Sequence, residues 1–298
     1  MSGAVVGYVG RDVPRELIEA AGCTALRLAP LDGIDARFAD RVLGPGVDEA
    51  ARLVLAGLLE DAYPIDRLVL CHDSDHTVRL YTALRRLGRT AWFLDLLHGP
   101  RATSGFYSRA RLAELADRLG AGDPAGAIRA ANRAREAGDR LAALRRAGAV
   151  RGTDALALLR AGTTLPADRH AELLEAAAAE PPPAGGRTVV LHGSGHDRDE
   201  VYAAIEELGA TVIGETHDWG EALLAGRVDE DGDPLDALVR HYGRPPRTEP
   251  PVADVSIAWL RRGDRARAWS LPPVDVVLRD RPYRLDDASH AALEEALA

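Results

Sequence analysis

The chain has 298 residues, 46% of them hydrophobic, and a formal net charge of −9 from 37 basic and 46 acidic side chains. That supply of apolar residues fills one large core or two medium ones and excludes a disordered chain, and the length favours two domains. The basic residues are interspersed with acidic ones instead of forming a stripe, which argues against nucleic acid and against anionic membrane surfaces as partners.

The opening residues show no basic leader ahead of a long apolar core, so no signal peptide is expected, and no apolar run reaches the roughly 18 residues of a membrane span. Two cysteines, Cys23 and Cys71, are too few to suggest a disulfide scaffold, so a reducing cytoplasm is the expected setting. Alanine, arginine and leucine raise helix propensity almost everywhere, and periodicity has to separate helix from strand.

Residues 4–9 (Ala-Val-Val-Gly-Tyr-Val) read as a buried strand, followed by Gly10, Pro14 and a short helix bearing Leu17, Ile18 and Ala21 that Gly22 stops. A strand at about 24–29, a loop at 30–33 and a helix over 48–59 with its stripe at Ala51, Val54, Leu55 and Leu58 come next. A central strand at 67–71, a helix over 77–87 and a strand at 90–94 complete a pattern that predicts a parallel sheet covered on both faces. The spans 107–119, 124–147, 153–160 and 167–179 read as helices, and Pro181-Pro-Pro-Ala-Gly-Gly186 as a linker. Beyond it come strands at 187–191, 210–213 and 274–277, with helices at 199–208, 234–242, 251–260 and 287–298. The expected fold is α/β. It comprises two Rossmann-like or flavodoxin-like parallel-sheet domains, 1–106 and 187–298, with a helical segment over 107–180 and the second domain shortened to three strands.

The chain is organised around Cys71-His72-Asp73-Ser74-Asp75-His76, which follows the central strand and so falls where parallel sheets bind ligands. It offers a thiol, two imidazoles and two carboxylates, all able to ligate zinc or iron. The spacing matches neither Cys-x-x-Cys nor His-Glu-x-x-His, so no metal is expected; were one bound, Cys71, His72 and His76 would be the candidate ligands. The competing readings are a helix cap at Asp73, Ser74 or Asp75 with Cys71 packed at the strand end, and a substrate or phosphate contact.

His192-Gly193-Ser194-Gly195-His196 is a glycine-rich strand-to-helix turn whose backbone N–H groups would receive an anion, unless the glycines serve only the tightness of the turn. It lacks Gly-x-Gly-x-x-Gly and does not frame Ser194 as Gly-x-Ser-x-Gly, so neither a dinucleotide fingerprint nor a nucleophile elbow is read. His217-Asp218-Trp219, with Glu215, follows the next strand, and His98 follows another. Candidate acid–base residues are therefore His72, Asp75, His98 and His217, with His98 brought opposite by domain closure; chance placement of histidines in polar loops is the alternative. Candidate ligand-binding residues are Ser74, Arg79, Arg101, Gly193, Ser194 and Gly195. Asn132, with Arg133 and Arg135, lies inside the longest predicted helix, where asparagine is a poor choice unless it bonds across to the first domain or faces solvent.

Several segments also follow one another in a familiar order. They are Val6-Gly7-Tyr8, Pro14-x-Glu16-Leu17, Ser74-Asp75-x-x-x-Arg79-Leu80-Tyr81, Ala127-Ile128-x-x-x-Asn132-x-x-Arg135, Leu191-x-Gly193-Ser194 and Ile205-Glu206-x-x-Gly209-Ala210-x-Val212. The series resembles the 2-hydroxyacyl-CoA dehydratase component D family, which also contains benzoyl-CoA reductase subunits. The resemblance implies two α/β domains with a helical insertion, pairing of unlike subunits and a 4Fe-4S cluster held by cysteines between the domains. It also implies an ATP-dependent activator and radical removal of water from a 2-hydroxyacyl-CoA, or reduction of an aromatic thioester.

The chain departs from that pattern at the cluster. No cysteine lies between Cys23 and Cys71 and none follows Cys71, while the family's Cys-Asp falls, by register from Tyr81, on Ser74-Asp75. A conventional 4Fe-4S cluster on cysteines of this one chain is therefore not expected. The reading that follows is a dehydratase-like subunit without a cluster or other bound cofactor. It would bind an acyl-CoA thioester or another small anion, or support a related dehydratase subunit in a homo- or hetero-dimer. The alternatives are a stand-alone lyase or hydrolase with a histidine/carboxylate or zinc site between the domains, and a non-catalytic structural or regulatory protein.

Overall fold

Apolar runs of four to six residues with both neighbouring faces covered are what a central parallel strand requires, and the chain supplies them twice over. A computed structural model of the protein describes residues 3–44, 46–177, 186–244, 249–261, 263–280 and 285–298. In chain order the elements are β1 (Val5–Val9), α1 (Arg15–Ala20), β2 (Thr24–Arg27), α2 (Arg37–Leu43), α3 (Glu49–Leu59), β3 (Arg67–Cys71), α4 (Asp75–Arg86) and β4 (Trp92–Leu94). There follow α5 (Ala102–Leu119), α6 (Ala125–Arg146), α7 (Gly152–Ala161), α8 (Ala167–Glu175), β5 (Thr188–Gly193), α9 (Glu200–Glu207) and β6 (Thr211–Glu215). A short 3-10 turn at Glu221–Leu224 leads on to α10 (Pro234–Tyr242), β7 (Val255–Arg261), α11 (Arg265–Trp269), β8 (Val276–Asp280) and α12 (Asp287–Leu297).

The chain divides into two units, each discontinuous in sequence. The first comprises Met1–Arg135, Gly162–Ala171 and Gly226–Pro246; the second comprises Glu136–Ala161, Glu172–Ala225 and Arg247–Ala298. Each contains one four-stranded sheet, ordered β2-β1-β3-β4 in the first unit and β6-β5-β7-β8 in the second. Every pairing is parallel. The strand order is the same in both, so each sheet changes its direction of travel beside its first strand, and that switch point is where open α/β sheets bind ligands.

In the first unit the period of two in β1 and β3 sends Val6, Tyr8, Val69 and Cys71 to one face, where they meet Leu17, Ile18, Leu112 and Leu115. Leu68 and Leu70 go to the other face and meet Leu55, Leu80 and Leu84. The second unit packs Val189, Leu191, Val212, Ile257 and Trp259 against Tyr202, Ile205 and Leu293. Glycines end the first strand-turn of each sheet with positive φ, 98° at Gly10 and 109° at Gly193. A Cβ at Gly10 would run into the Cys71 thiol and Asp73, and one at Gly193 into the Trp259 carbonyl, so both turns need glycine for close approach.

Several local expectations need correction. The span 251–260, read as a helix, contains β7, which raises the second sheet from three strands to four. Val255, Ile257 and Trp259 alternate with period two, while Ala258 and Leu260 are buried on the opposite face, so a strand covered on both sides imitates a helical apolar run. Helix α2 was not anticipated; it buries only Ala39 and leaves Phe38 and Val42 exposed, so its periodicity is weak. Helix α4 starts at Asp75 rather than at 77, and α5 at Ala102 rather than at 107. The linker predicted at 181–186 lies, apart from Gly186, outside the described residues.

Asn132 is the exception in α6 that the packing explains. Its side-chain amide donates to the Val228 carbonyl and Glu230 at 2.7 Å each, and its oxygen accepts from the Val228 N–H at 2.9 Å. Nearby, Arg135 donates to Glu16 at 2.6 Å, and the Tyr242 hydroxyl donates to the other Glu16 oxygen at 2.8 Å. A buried polar network of this kind is tolerable because its members are satisfied.

Candidate functional site

At the first unit's switch point three loops meet at the carboxyl ends of β1, β3 and β4. Ser74 caps α4: its hydroxyl accepts from the Thr77 N–H at 3.2 Å and lies 2.9 Å from the Thr77 hydroxyl. Asp73 does not cap; one oxygen accepts from the Arg11 N–H and the other from the Thr77 hydroxyl, both at 2.9 Å, which ties the β1 and β3 loops together. Cys71 is 1% exposed and belongs to the core, where burial first, then the Asp73 and Asp12 charges, push its thiol well above its usual range. Asp75, Arg79 and Arg101 are exposed, and Arg101 occupies the position preceding α5 without capping it through its side chain.

The histidines of this edge are each engaged separately. His76 Nδ1 accepts from the Asp48 N–H at 3.3 Å. His98 Nε2 lies 3.0 Å from Asp12 and 3.2 Å from the Tyr242 carbonyl, and the bond to Asp12 raises its pKa above the ordinary imidazole value. His72 Nδ1 lies 3.0 Å from Asp95 Oδ1, and the Tyr107 hydroxyl donates to Asp95 Oδ2 at 3.1 Å. Cys71, His72 and His76 therefore point at different partners, and among the described residues no group of three or more His, Cys, Asp or Glu side chains is placed to hold a metal ion.

The second unit's edge is closed by its own side chains. Ser194 is fully buried; its hydroxyl donates to Asp264 at 2.7 Å and accepts from the Arg261 N–H at 3.0 Å. A Cβ on Gly195 would collide with Asp218 and Trp219, so the loop after β6 lies directly on the glycine turn. His196 stacks on Trp259 with ring centroids 3.2 Å apart, and burial, followed by Arg261 and His217, holds its pKa well below the usual value. Burial also lowers the pKa of His192, whose Nδ1 lies 3.4 Å from the Thr216 hydroxyl.

Beneath this turn lies a buried ionic group that sequence reading missed. Glu215 Oε2 is 2.5 Å from Arg145 Nη2, with both side chains at most 1% exposed, and it also accepts from the Tyr202 hydroxyl at 3.0 Å. Burial alone would raise the Glu215 carboxyl, but Arg145 beside it brings it down to about 2. Glu221 shares the same guanidinium at 3.4 Å, and burial together with the Glu215 charge lifts it to about 7. His217 is wedged between the Tyr202 hydroxyl at 2.8 Å and the Trp219 N–H at 3.3 Å, and burial lowers its pKa to about 4. The sequence signal for this group is Glu215 beside His217; Arg145 carries none.

Residues 12–261 match the family described as 2-hydroxyglutaryl-CoA dehydratase, D-component. The chain belongs to that family. No curated protein is significantly similar to the chain. D-component membership raises the question of an iron–sulfur cluster, and this chain's donor set does not fit one held conventionally. It has two cysteines, one buried in the core with a disfavoured thiolate and the other, Cys23, half-buried with its sulfur 3.7 Å from the Ala21 carbonyl. Ser74, where the resemblance implies a cysteine, uses its hydroxyl to cap a helix. Among the described residues no helix is long and apolar enough to cross a membrane.

Proposed function

We propose that the protein is a D-component-type subunit that has lost the iron–sulfur cluster and serves, in the cytoplasm, as an acyl-CoA-binding or accessory partner of a related dehydratase subunit. The observation that carries this reading is Ser74. A side chain that would have to be a thiolate to hold iron is instead a hydroxyl engaged with Thr77, next to a Cys71 whose burial opposes ionisation. Family membership supplies the thioester as ligand class, since the matched family is described by a CoA-ester dehydratase. The open carboxyl edge of the first sheet, with Arg79 and Arg101 exposed nearby in sequence, is the surface we assign to it.

The test is isothermal titration of the full chain, alone and with any co-purifying subunit, using 2-hydroxyglutaryl-CoA and free CoA as probes. A dissociation constant in the micromolar range for the thioester, weaker for free CoA, is expected. No binding of the thioester in either preparation would remove the reading.

A further inference from the structure

The two sheet edges differ in what they leave available. In the second unit three polar side chains of the edge are spent within the unit: Ser194 on Asp264 and the Arg261 N–H, His217 on Tyr202 and the Trp219 N–H, Glu215 on Arg145. At the first unit's edge His72 is held differently. Its backbone N–H donates to the Leu94 carbonyl at 2.9 Å, which fixes the residue alongside β4, one position from Asp95. Asp95 then takes the Nδ1 side of the ring at 3.0 Å while Tyr107 steadies the other carboxylate oxygen at 3.1 Å.

With Nδ1–H given to a carboxylate, the lone pair of the neutral imidazole is on Nε2, directed away from Asp95. The His72 side chain is 46% exposed, and among the described residues its only side-chain hydrogen bond is the one to Asp95. Phe93 stands beside the ring at a centroid distance of 6.0 Å and is itself stacked on Tyr81 at 4.6 Å, so the half-exposed ring sits beside an aromatic pair. An imidazole oriented by a carboxylate, with its second nitrogen open at the ligand edge of a parallel sheet, is the arrangement general-base chemistry needs. Asp95 lies 23 residues from His72, so the pair is formed by strand register and has no local motif.

We propose that His72, positioned by Asp95 and Tyr107, transfers a proton to and from the α-carbon of an acyl thioester bound at this edge. The inference rests on the thioester-binding reading above. Nε2 takes the α-proton; the C–H electron pair becomes the Cα–C double bond, and the carbonyl pair moves to the thioester oxygen, giving an enolate and an imidazolium whose Nδ1–H stays on Asp95. Return of a proton from Nε2 to the α-carbon restores the thioester. Nothing is oxidised or reduced and no group leaves. His72 is the catalytic residue of this step, and Asp95 and Tyr107 are positioning residues.

The experiment follows butyryl-CoA with the full chain in D2O by proton NMR, reading loss of the α-methylene signal, with calorimetric binding of the same thioester in parallel. Wild-type protein is expected to exchange the α-protons about 100-fold or more above buffer. His72→Gln should fall to the buffer rate, and Asp95→Asn by about tenfold or more, each with the dissociation constant unchanged; Asp95→Glu should recover part of the loss. Unchanged binding with reduced exchange is a split that a merely structural role would not produce. Thioester binding without exchange in the wild type, or exchange that survives His72→Gln, overturns this inference and leaves the functional reading standing. Failure of butyryl-CoA to bind also overturns this inference, whereas the functional reading is decided by the 2-hydroxyglutaryl-CoA titration.

Discussion

Glu215→Gln would probe a fully buried charge pair of the second unit. It leaves the Arg145 guanidinium, which is not exposed at all, without the carboxylate 2.5 Å away. Removing one partner of a buried pair costs about 3–5 kcal/mol, because the remaining charge keeps its desolvation penalty. Here the loss falls at the low end, about 3 kcal/mol, since Glu221 stays 3.4 Å from Arg145 as a counter-ion. The carboxyl's displacement from 4.5 to about 2 has the matching direction, since, against burial, Arg145 favours its ionised form in the folded chain. Its sign is that of a depressed carboxylate: the stabilisation is present above about pH 4.5 and is lost as pH falls toward 2. The assay is urea unfolding at pH 8 followed by tryptophan fluorescence, to which Trp219 and Trp259 contribute from within this unit. A lowered midpoint with an unchanged slope is expected, and a Glu221 titration moved below its wild-type value of about 7. A loss under about 1 kcal/mol would mean that the pair contributes no more than an exposed one, against this expectation.

Acid should act through His217, whose pKa is about 4 in the folded chain against an unperturbed value of about 6.5. The unfolded chain takes up its proton first, so this residue's contribution is full above about pH 6.5 and falls as pH drops toward 4, by about 2 kcal/mol between pH 7.5 and 5; the difference in that loss between wild type and His217→Gln, from urea unfolding at the two pH values, measures it beside the parallel shares of His196 and His241. Asn132→Ala gains about 0.5 kcal/mol of helix propensity but strands the Val228 N–H and carbonyl in a buried site, so a net loss of about 2–4 kcal/mol is expected, with faster hydrogen exchange at the Val228 amide. Gly10→Ala should cost more than about 2 kcal/mol through overlap with Cys71 and Asp73, whereas Gly33→Ala, with φ 74° and nothing within 4 Å, should cost only about 1 kcal/mol in thermal unfolding.

How much of this was legible beforehand follows from the range of each signal. Val5–Val9 and Arg67–Cys71 could be read because an apolar run ending in polar residues is a local pattern. The cap before α4 was narrowed to three residues by the same local logic, and geometry selected Ser74. β7 was misread because burial on both faces erases the period-two contrast that marks a strand. Asn132 was conspicuous against its helix, and its partners came from 96 and 98 residues away, beyond any window. Arg145 carried no signal, because a buried arginine and an exposed one look alike at the end of a helix. His72 was flagged by residue type, but Asp95 and Tyr107 join it only through the pairing of β3 with β4 and the placement of α5.

This D-component family member is expected to hold no conventional cluster of its own. Iron and acid-labile sulfide, measured on the isolated chain after anaerobic purification, test it most directly. Neither is expected in stoichiometric amount. A full 4Fe-4S complement bound by the isolated chain, with Cys23 and Cys71 among its ligands, would contradict it.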